Sequence, residues 1–261
     1  MGETILEKIV NDKRIEIAAA KKAKSLEDIQ REIAHMAGFA KKLSKTGGLQ
    51  LIAEVKAKSP SGGMIRADFD PKKLAQSFEQ GGASAISVLT DNKYFGGSLD
   101  DLKKVQEAAD LPILRKDFIV DPYQIYESKA AGADIILLIA RSTRDNLERL
   151  LGLALELGLQ VLIEVHTEEE LDFVIKRIPV SRDILIGINN RDLATFDVDL
   201  NTSLELVKQI PDDYLKVAES GVERSAQLDE LERAGFDLVL IGAGLAKNPE
   251  LLDRFSVSTR R

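Results

Sequence analysis

Eight times along the chain, a short aliphatic run ends in a polar tip and gives way to an amphipathic helical segment of roughly a dozen residues. The runs are Gln50–Lys56, Ala85–Thr90, Pro112–Lys116, Asp134–Ile139, Gln160–Val165, Ile184–Asn189, Leu215–Glu219 and Leu238–Ile241. Thr143–Leu157 is typical of the intervening helices, with Leu147, Leu150, Leu151 and Ala154 at helical spacing. Gly81-Gly82-Ala83, Ala131-Gly132-Ala133, Leu157-Gly158-Leu159 and Ala234-Gly235-Phe236 each place a helix-ending glycine before a strand. Consecutive βα units over about 210 residues predict an α/β fold, a closed (β/α)8 TIM barrel. The competing topology is an open doubly wound sheet. Against it, no GxGxxG follows the first strand, and no linker separates two half-size domains.

Residues 1–48 contain no strand candidate. Leu6, Ile9, Val10 and Ile17 share one helical face. Ser25 with Asp28 resembles a capping box, and Leu26, Ile29, Ile33 and Met36 continue at helical spacing. The expectation is an N-terminal helical extension (1–48) packed on a barrel (49–261), a single domain overall.

Composition narrows the function. Net charge is −7 with both signs interspersed, unlike a nucleic-acid surface. No apolar run is long enough to span a bilayer, and charges occupy the N-terminal stretch where a signal peptide needs its hydrophobic region. With no Cys, thiolate metal sites and cysteine nucleophiles are excluded, and two His cannot make a histidine-rich metal site. The simplest expectation from composition is a cytoplasmic, metal-independent protein; alongside it stand the expectations of a small-molecule substrate, no organic cofactor, and a monomer or a weak homodimer, none of which composition decides.

A barrel of this kind carries its active site at the C-terminal strand ends. The tips supply Glu54 and Lys56, Lys116, Glu164, Asn189 with Arg191 just beyond, and Glu219 with Ser220. Side chains alternate between strand faces, so Ile52, Glu54 and Lys56 share the inner face, and Leu51, Ala53 and Val55 share the outer one. The same parity sets Lys116 above Leu114, Glu164 above Leu162 and Glu219 above Val217.

One buried carboxylate beside one lysine is more often a structural ion pair than a catalyst. Five ionisable groups converging from four strands are costly to bury unless a ligand or water shares the site. A lysine among carboxylates holds a proton it can donate, and a glutamate beside a phosphate or second carboxylate can accept one. Ser220-Gly221 and Gly242-Ala243-Gly244 follow the last two strands, where such barrels often hold phosphate, although glycine after a strand also serves as a plain turn. A short helix over 243–247 would aim its first N–H groups there. Arg191, with Ser59 and Asn189, suits a planar carboxylate; a rim salt bridge to Asp192 or Asp197 is the equal alternative. Phe95 either stacks on an aromatic substrate or anchors its loop. His166 reads as a solvated loop residue. The loop from Ala57 to Asp70 is long, with Gly62-Gly63 as a possible lid hinge.

These residues resemble the indole-3-glycerol phosphate synthase family. The matching motifs are Glu54-x-Lys56-x-x-Ser59-Pro60-Ser61, SVLTDNKYFGGS (87–98), LRKDFIVDPYQI (114–125), LIEVH (162–166), GINNRDL (187–193) and AESGV (218–222). The resemblance spans essentially the whole chain, helical extension included. It implies a carboxy-lyase of tryptophan biosynthesis. That enzyme closes 1-(2-carboxyphenylamino)-1-deoxyribulose 5-phosphate to indole-3-glycerol phosphate, carbon dioxide and water.

By the same resemblance, Lys116 is the general acid that protonates the ribulose carbonyl. Glu164 stabilises the iminium intermediate and takes a proton in dehydration. Glu54, Lys56, Asn189 and Glu219 match active-site positions, and Lys56 also matches a phosphate contact and a candidate dehydration acid. Ser59 and Arg191 match the carboxylate end, and Ser220, Gly221, Gly242 and Ala243 the phosphate cradle. Ala243 departs from the Ser or Glu common there, which removes a side-chain bond but leaves the backbone N–H. A sugar-phosphate isomerase such as phosphoribosylanthranilate isomerase would be expected to use a Cys or Asp pair, and none is offered at the tips. A barrel binding without turnover would predict loss of Lys116 or Glu164, and both are present.

Overall fold

A computed structural model describes residues 4–36, 40–59, 63–64, 69–192, 195 and 197–256. Eight parallel strands close into a barrel in sequence order. They are β1 (Gln50–Val55), β2 (Ala85–Leu89), β3 (Ile113–Lys116), β4 (Ile135–Ile139), β5 (Gln160–Val165), β6 (Ile184–Asn189), β7 (Leu215–Glu219) and β8 (Leu238–Ile241). β1 pairs with β2 at Ile52↔Ala85 and with β8 at Ile52↔Leu240, which seals the ring and rules out an open sheet. Four predicted runs overshoot by one residue. Lys56, Thr90, Pro112 and Asp134 stand just outside the ladder.

Strand alternation builds two apolar layers. Ile52, Leu114, Leu162, Val217 and Leu240 point inward into one cluster. Leu51, Ala53, Val55, Ile163 and Ile186 point outward onto the helices. Each fully buried aliphatic side chain contributes roughly 1.5–3 kcal/mol to holding these layers shut. Asp-Pro pairs start two of the outer helices. Asp70 and Asp121 accept backbone N–H groups of Pro71–Gln80 and Pro122–Ala130, with proline at the first helical position, where no donor is missed. The predicted Thr143–Leu157 helix is instead a turn, Ala140–Thr143, and a helix, Leu147–Glu156. Asn146 donates its backbone N–H back to Thr143 O at 2.7 Å and breaks the run, as Asn tends to do at helix starts.

The N-terminal segment reaches both ends of the barrel. Helix α1 (Ile5–Ala23) begins with a capping box between Thr4 and Glu7. Its Leu6, Ile9 and Val10 join the inner apolar cluster at the mouth, beside Phe118 and Ile139. Helix α2 (Leu26–Ala34) starts at Ser25, whose hydroxyl accepts the Asp28 N–H. It buries Ile29 but leaves Leu26 exposed, and it ends before Met36, also exposed, so the predicted apolar stripe is narrower than its spacing suggests. Residues 40–45 then cross the opposite end. Lys41 N donates to Asp134 at 2.8 Å, and Leu43 exchanges two bonds with the Gln160 amide, at 2.7 and 3.0 Å.

Candidate active site

The C-terminal ends of the strands open into a cavity of about 770 Å3, roofed on one side by Ile5, Leu6 and Ile9 of α1. A volume in this range suits a small organic ligand. On its floor, Lys116 Nζ bridges Glu219 Oε2 at 2.7 Å and Glu164 Oε2 at 3.2 Å. Strand parity is the cause, since the inward residues of β3, β5 and β7 converge where the barrel leaves a mouth. Beside them, Lys56 is ion-paired with Glu54.

Two glycines make room for these groups. A Cβ on Gly187 would overlap Glu219 Oε1 and come within 2.9 Å of Leu162, and a Cβ on Gly242 would overlap Glu54 Oε1. Glu219 Oε1 itself is buried with no hydrogen-bond partner among the described residues. An unmet buried carboxylate oxygen is costly and points to a proton or a ligand.

The proton balance follows from these contacts. Burial disfavours charge on Lys116, but Glu219, Glu164 and Glu54 outweigh it and push its pKa above the usual lysine range. Burial alone would raise Glu164 too, yet Lys116, His166 and the Asn189 amide hold it below the usual carboxylate range. For Glu219, burial and the Glu164 charge prevail over Lys116, and its pKa is raised to about 7. Two carboxylates sharing one lysine thus divide their roles. Glu164 stays ionised, and Glu219 is poised to take up or release a proton near neutral pH.

One corner of the cavity lies at the ends of β7 and β8. Ser220, at φ 66°, is the one non-glycine with positive φ among the described residues, and Gly221 follows at φ 89°. Asn190 holds this turn, its amide nitrogen donating to the carbonyls of Glu219 and Ser220 at 3.1 and 3.0 Å. Gly242 precedes the short helix Ala243–Lys247. A Cβ on Gly244 would overlap the Val222 carbonyl, so glycine is required for the two loops to meet.

The sequence model of the family described as indole-3-glycerol phosphate synthase matches residues 6–255. The chain belongs to this family. It is 46% identical to the indole-3-glycerol phosphate synthase of Chlorobium chlorochromatii, over 95% of this chain and 97% of that one. It is 48% identical to that of Rhodopirellula baltica, over 82% of this chain and 81% of that one. For Thermoanaerobacter pseudethanolicus the identity is 41%, over 97% and 96%. Among solved structures, an N-acetylmannosamine-6-phosphate 2-epimerase from Clostridium perfringens superposes with a TM-score of 0.58 at 18% identity. The match covers 80% of this chain and 93% of that one, a likeness of fold alone.

In this synthase-family barrel, Glu54, Lys56, Phe95, Lys116, Glu164, Asn189, Arg191, Glu219, Ser220, Gly221, Gly242 and Ala243 all line the one cavity. Asn189 Oδ1 accepts the Arg191 N–H at 3.0 Å, and Arg191 forms a backbone bridge to Val198. Phe95 stands at the rim with its ring centroid 6.2 Å from that of Phe118. After β1 the chain forms a small hairpin, Lys58–Ser59 against Gly63–Met64. The Ser59 side chain, Pro60, Ser61 and the hinge position Gly62 lie outside the described residues.

One expectation fails. His166 is not solvated but 8% exposed, held between Glu164 and Glu170 at 3.3 Å each. The carboxylate that captures it sits four residues on, in the first turn of the helix Glu168–Ile175. Glu170 was the available signal. Sequence reasoning also passed over Lys13. It lies on the apolar stripe of α1, 2% exposed, and reaches Asp91 at 2.9 Å and Asp117 at 3.1 Å. A lysine on an apolar helical stripe was the one local sign, and it does not name its distant partners.

Proposed function

We propose that this cavity carries out the ring closure of 1-(2-carboxyphenylamino)-1-deoxyribulose 5-phosphate, with the residues in the following roles. The Lys116 bridge to Glu164 and Glu219 carries this reading, because it sets one proton donor and two differently charged acceptors at one point. The ring carbon bearing the carboxylate attacks the ribulose carbonyl, and Lys116 gives its proton to the oxygen as negative charge develops there. Its raised pKa means that the proton leaves only for a strongly basic oxygen, and Glu219, 2.7 Å away, can return one. Loss of carbon dioxide restores the aromatic ring. Lys56 gives a proton to the hydroxyl that leaves as water, and Glu164, ionised, faces the cationic nitrogen and takes the proton given up by the neighbouring carbon.

Glu54 holds Lys56 toward the Gly242 loop, where a phosphate would meet the backbone N–H groups of Ser220, Gly221, Gly242 and Ala243. Arg191, Asn189 and Ser59 receive the substrate carboxylate, and Phe95 borders the aromatic ring. Acid–base groups suffice for each step, so the reaction is read as independent of metal and organic cofactor. The protein is read as cytoplasmic, and as a monomer or weak homodimer. No described helix is long and apolar enough to cross a membrane.

The test is turnover of the carboxyphenylamino-deoxyribulose phosphate in metal-free buffer, followed by indole fluorescence. Indole formation that disappears in Lys116→Ala supports the reading. Folded wild-type protein that binds the substrate without forming indole would overturn it.

A further inference from the structure

Glu164 divides its two oxygens between two nitrogen bases. Oε2 faces Lys116 in the cavity at 3.2 Å, and Oε1 lies 3.3 Å from His166 Nε2 behind it. The scheme above gives His166 no task. Yet the imidazole is buried: its Nε2 meets Glu164 as a charge contact and makes no hydrogen bond among the described residues, while its other nitrogen is hydrogen-bonded. Nδ1 lies 3.3 Å from Glu170 Oε2. Glu170 is fixed in turn, since Oε2 accepts the His166 backbone N–H at 2.8 Å and Oε1 accepts Arg141 Nε at 2.6 Å. The result is a chain of contacts from the rim to the catalytic floor: Arg141, Glu170, His166, Glu164, Lys116.

The final torsion of a glutamate is soft, so its carboxylate plane is set by its partners. Lys116 is a rotating point charge that is also drawn to Glu219, and it cannot fix that plane alone. A planar imidazole held at its far nitrogen can. We propose that His166 is a positioning residue for Glu164: clamped by Glu170, it sets the carboxylate plane and places a positive charge behind it. This rests on Glu164 being the catalytic carboxylate of the reading above.

The charged groups facing His166 are Glu164 on its own strand and Glu170 on the following helix. One contact further stand Lys116 on β3, Glu219 on β7 and Arg141 on the turn after β4. Burial works against the imidazolium, but the Glu164 and Glu170 carboxylates prevail and raise its pKa to about 9. The positive charge behind Glu164 is therefore present through the neutral range and lost as pH rises past that value.

The chain has two histidines, so the ring resonance that His166→Asn removes is that of His166. The experiment combines a histidine NMR titration of the wild type and Glu170→Gln with kcat and pH profiles of His166→Asn, His166→Gln and Glu164→Gln. One wild-type resonance should titrate near pH 9 and fall toward the ordinary imidazole range in Glu170→Gln. His166→Asn, which cannot reach Glu164, should lose about tenfold or more in kcat with little change in KM. His166→Gln, whose amide nitrogen takes the Nε2 position, should recover much of that loss. The alkaline limb of the kcat profile should vanish in both histidine variants. A His166 resonance that titrates in the ordinary imidazole range would overturn the proposal. So would His166→Asn at wild-type kcat while Glu164→Gln is inactive. Wild-type kcat in Glu164→Gln would instead overturn the assignment of Glu164 itself.

Discussion

Arg115 and Lys116, which end β3, and Asp117 just after them feed two buried charge clusters that differ in kind. Lys116 points into the barrel mouth, whereas Arg115 points outward beneath the helix Pro122–Ala130 and meets Asp117, which lies beneath α1 at the edge of the cavity. The outward cluster is saturated. Arg115 reaches Thr90 and Ser128 hydroxyls and the Gln124 carbonyl, each at 3.1 Å, and pairs with Asp117 at 3.0 Å and Glu127 at 2.9 Å. Asp117 also takes Lys13 at 3.1 Å and the Thr90 hydroxyl at 2.6 Å. The inward cluster is not saturated. Glu219 Oε1 has no partner among the described residues, and the cluster opens onto a cavity. Buried charges that find every partner within the protein hold elements together. Buried charges left short of a partner await a ligand or a proton.

This contrast can be broken at several points. The largest effect on stability is expected from Asp117→Ala, which leaves Arg115 and Lys13 buried around a missing carboxylate. Removing one partner of a buried pair costs about 3–5 kcal/mol, read as a lower midpoint in denaturant unfolding. An unchanged midpoint would mean that the outward cluster holds nothing.

Gly187→Ala comes next. Its methyl must displace the Glu219 carboxylate or Leu162, at about 1–3 kcal/mol in stability. Activity should fall more than stability, since Glu219 leaves Lys116, and comparing kcat with melting temperature checks this.

The smallest effect depends on pH, and the two clusters should respond with opposite sign. Glu219 has a folded pKa raised from 4.5 to about 7, so its contribution to stability is full below 4.5 and lost as pH rises through about 7. Asp117 is the reverse. Burial opposes its ionisation, but Arg115, Lys13 and Thr90 prevail and lower its pKa to about 2, so its contribution is full above 3.8 and lost as pH falls through about 2. Glu219→Gln, a mimic of the neutral acid, should match wild-type stability near pH 4 and exceed it by roughly 1–3 kcal/mol near pH 8. Parallel stability curves for the two proteins would contradict the assignment of a proton to Glu219.

The sequence made one cluster legible and hid the other. Alternation along β1, β3, β5 and β7 has a period of two, so a charged tip above an inward aliphatic residue could be read without coordinates at Glu54, Lys116, Glu164 and Glu219. The strand bodies were equally plain, as Gln160–Val165 and Ile184–Asn189 are aliphatic between clear breaks. Their ends were less so at Lys56 and Thr90, because pairing, not composition, decides where a ladder stops. The outward cluster joins residues far apart in sequence, Lys13 to Asp91 and Asp117, and no local period reports that. Nor does the apolar face of α1 reveal that it roofs the mouth. Met36 shows the converse error, since helical spacing persists past the point where α2 ends and nothing is left to cover it. His166 stood at a strand tip in plain view, but its environment depended on a helix turn folding back over it.

The most direct measurement compares two neighbours on β3: kcat and melting temperature of Lys116→Met and Arg115→Met, measured side by side. The predicted result is a crossed pattern. Lys116→Met should lose about 10^3-fold or more in kcat and keep its melting temperature to within a few degrees, while Arg115→Met should lose about 3–5 kcal/mol of stability and keep most of its kcat when folded. Equal losses in both quantities for both variants would contradict the division between a catalytic and a structural side of the same strand.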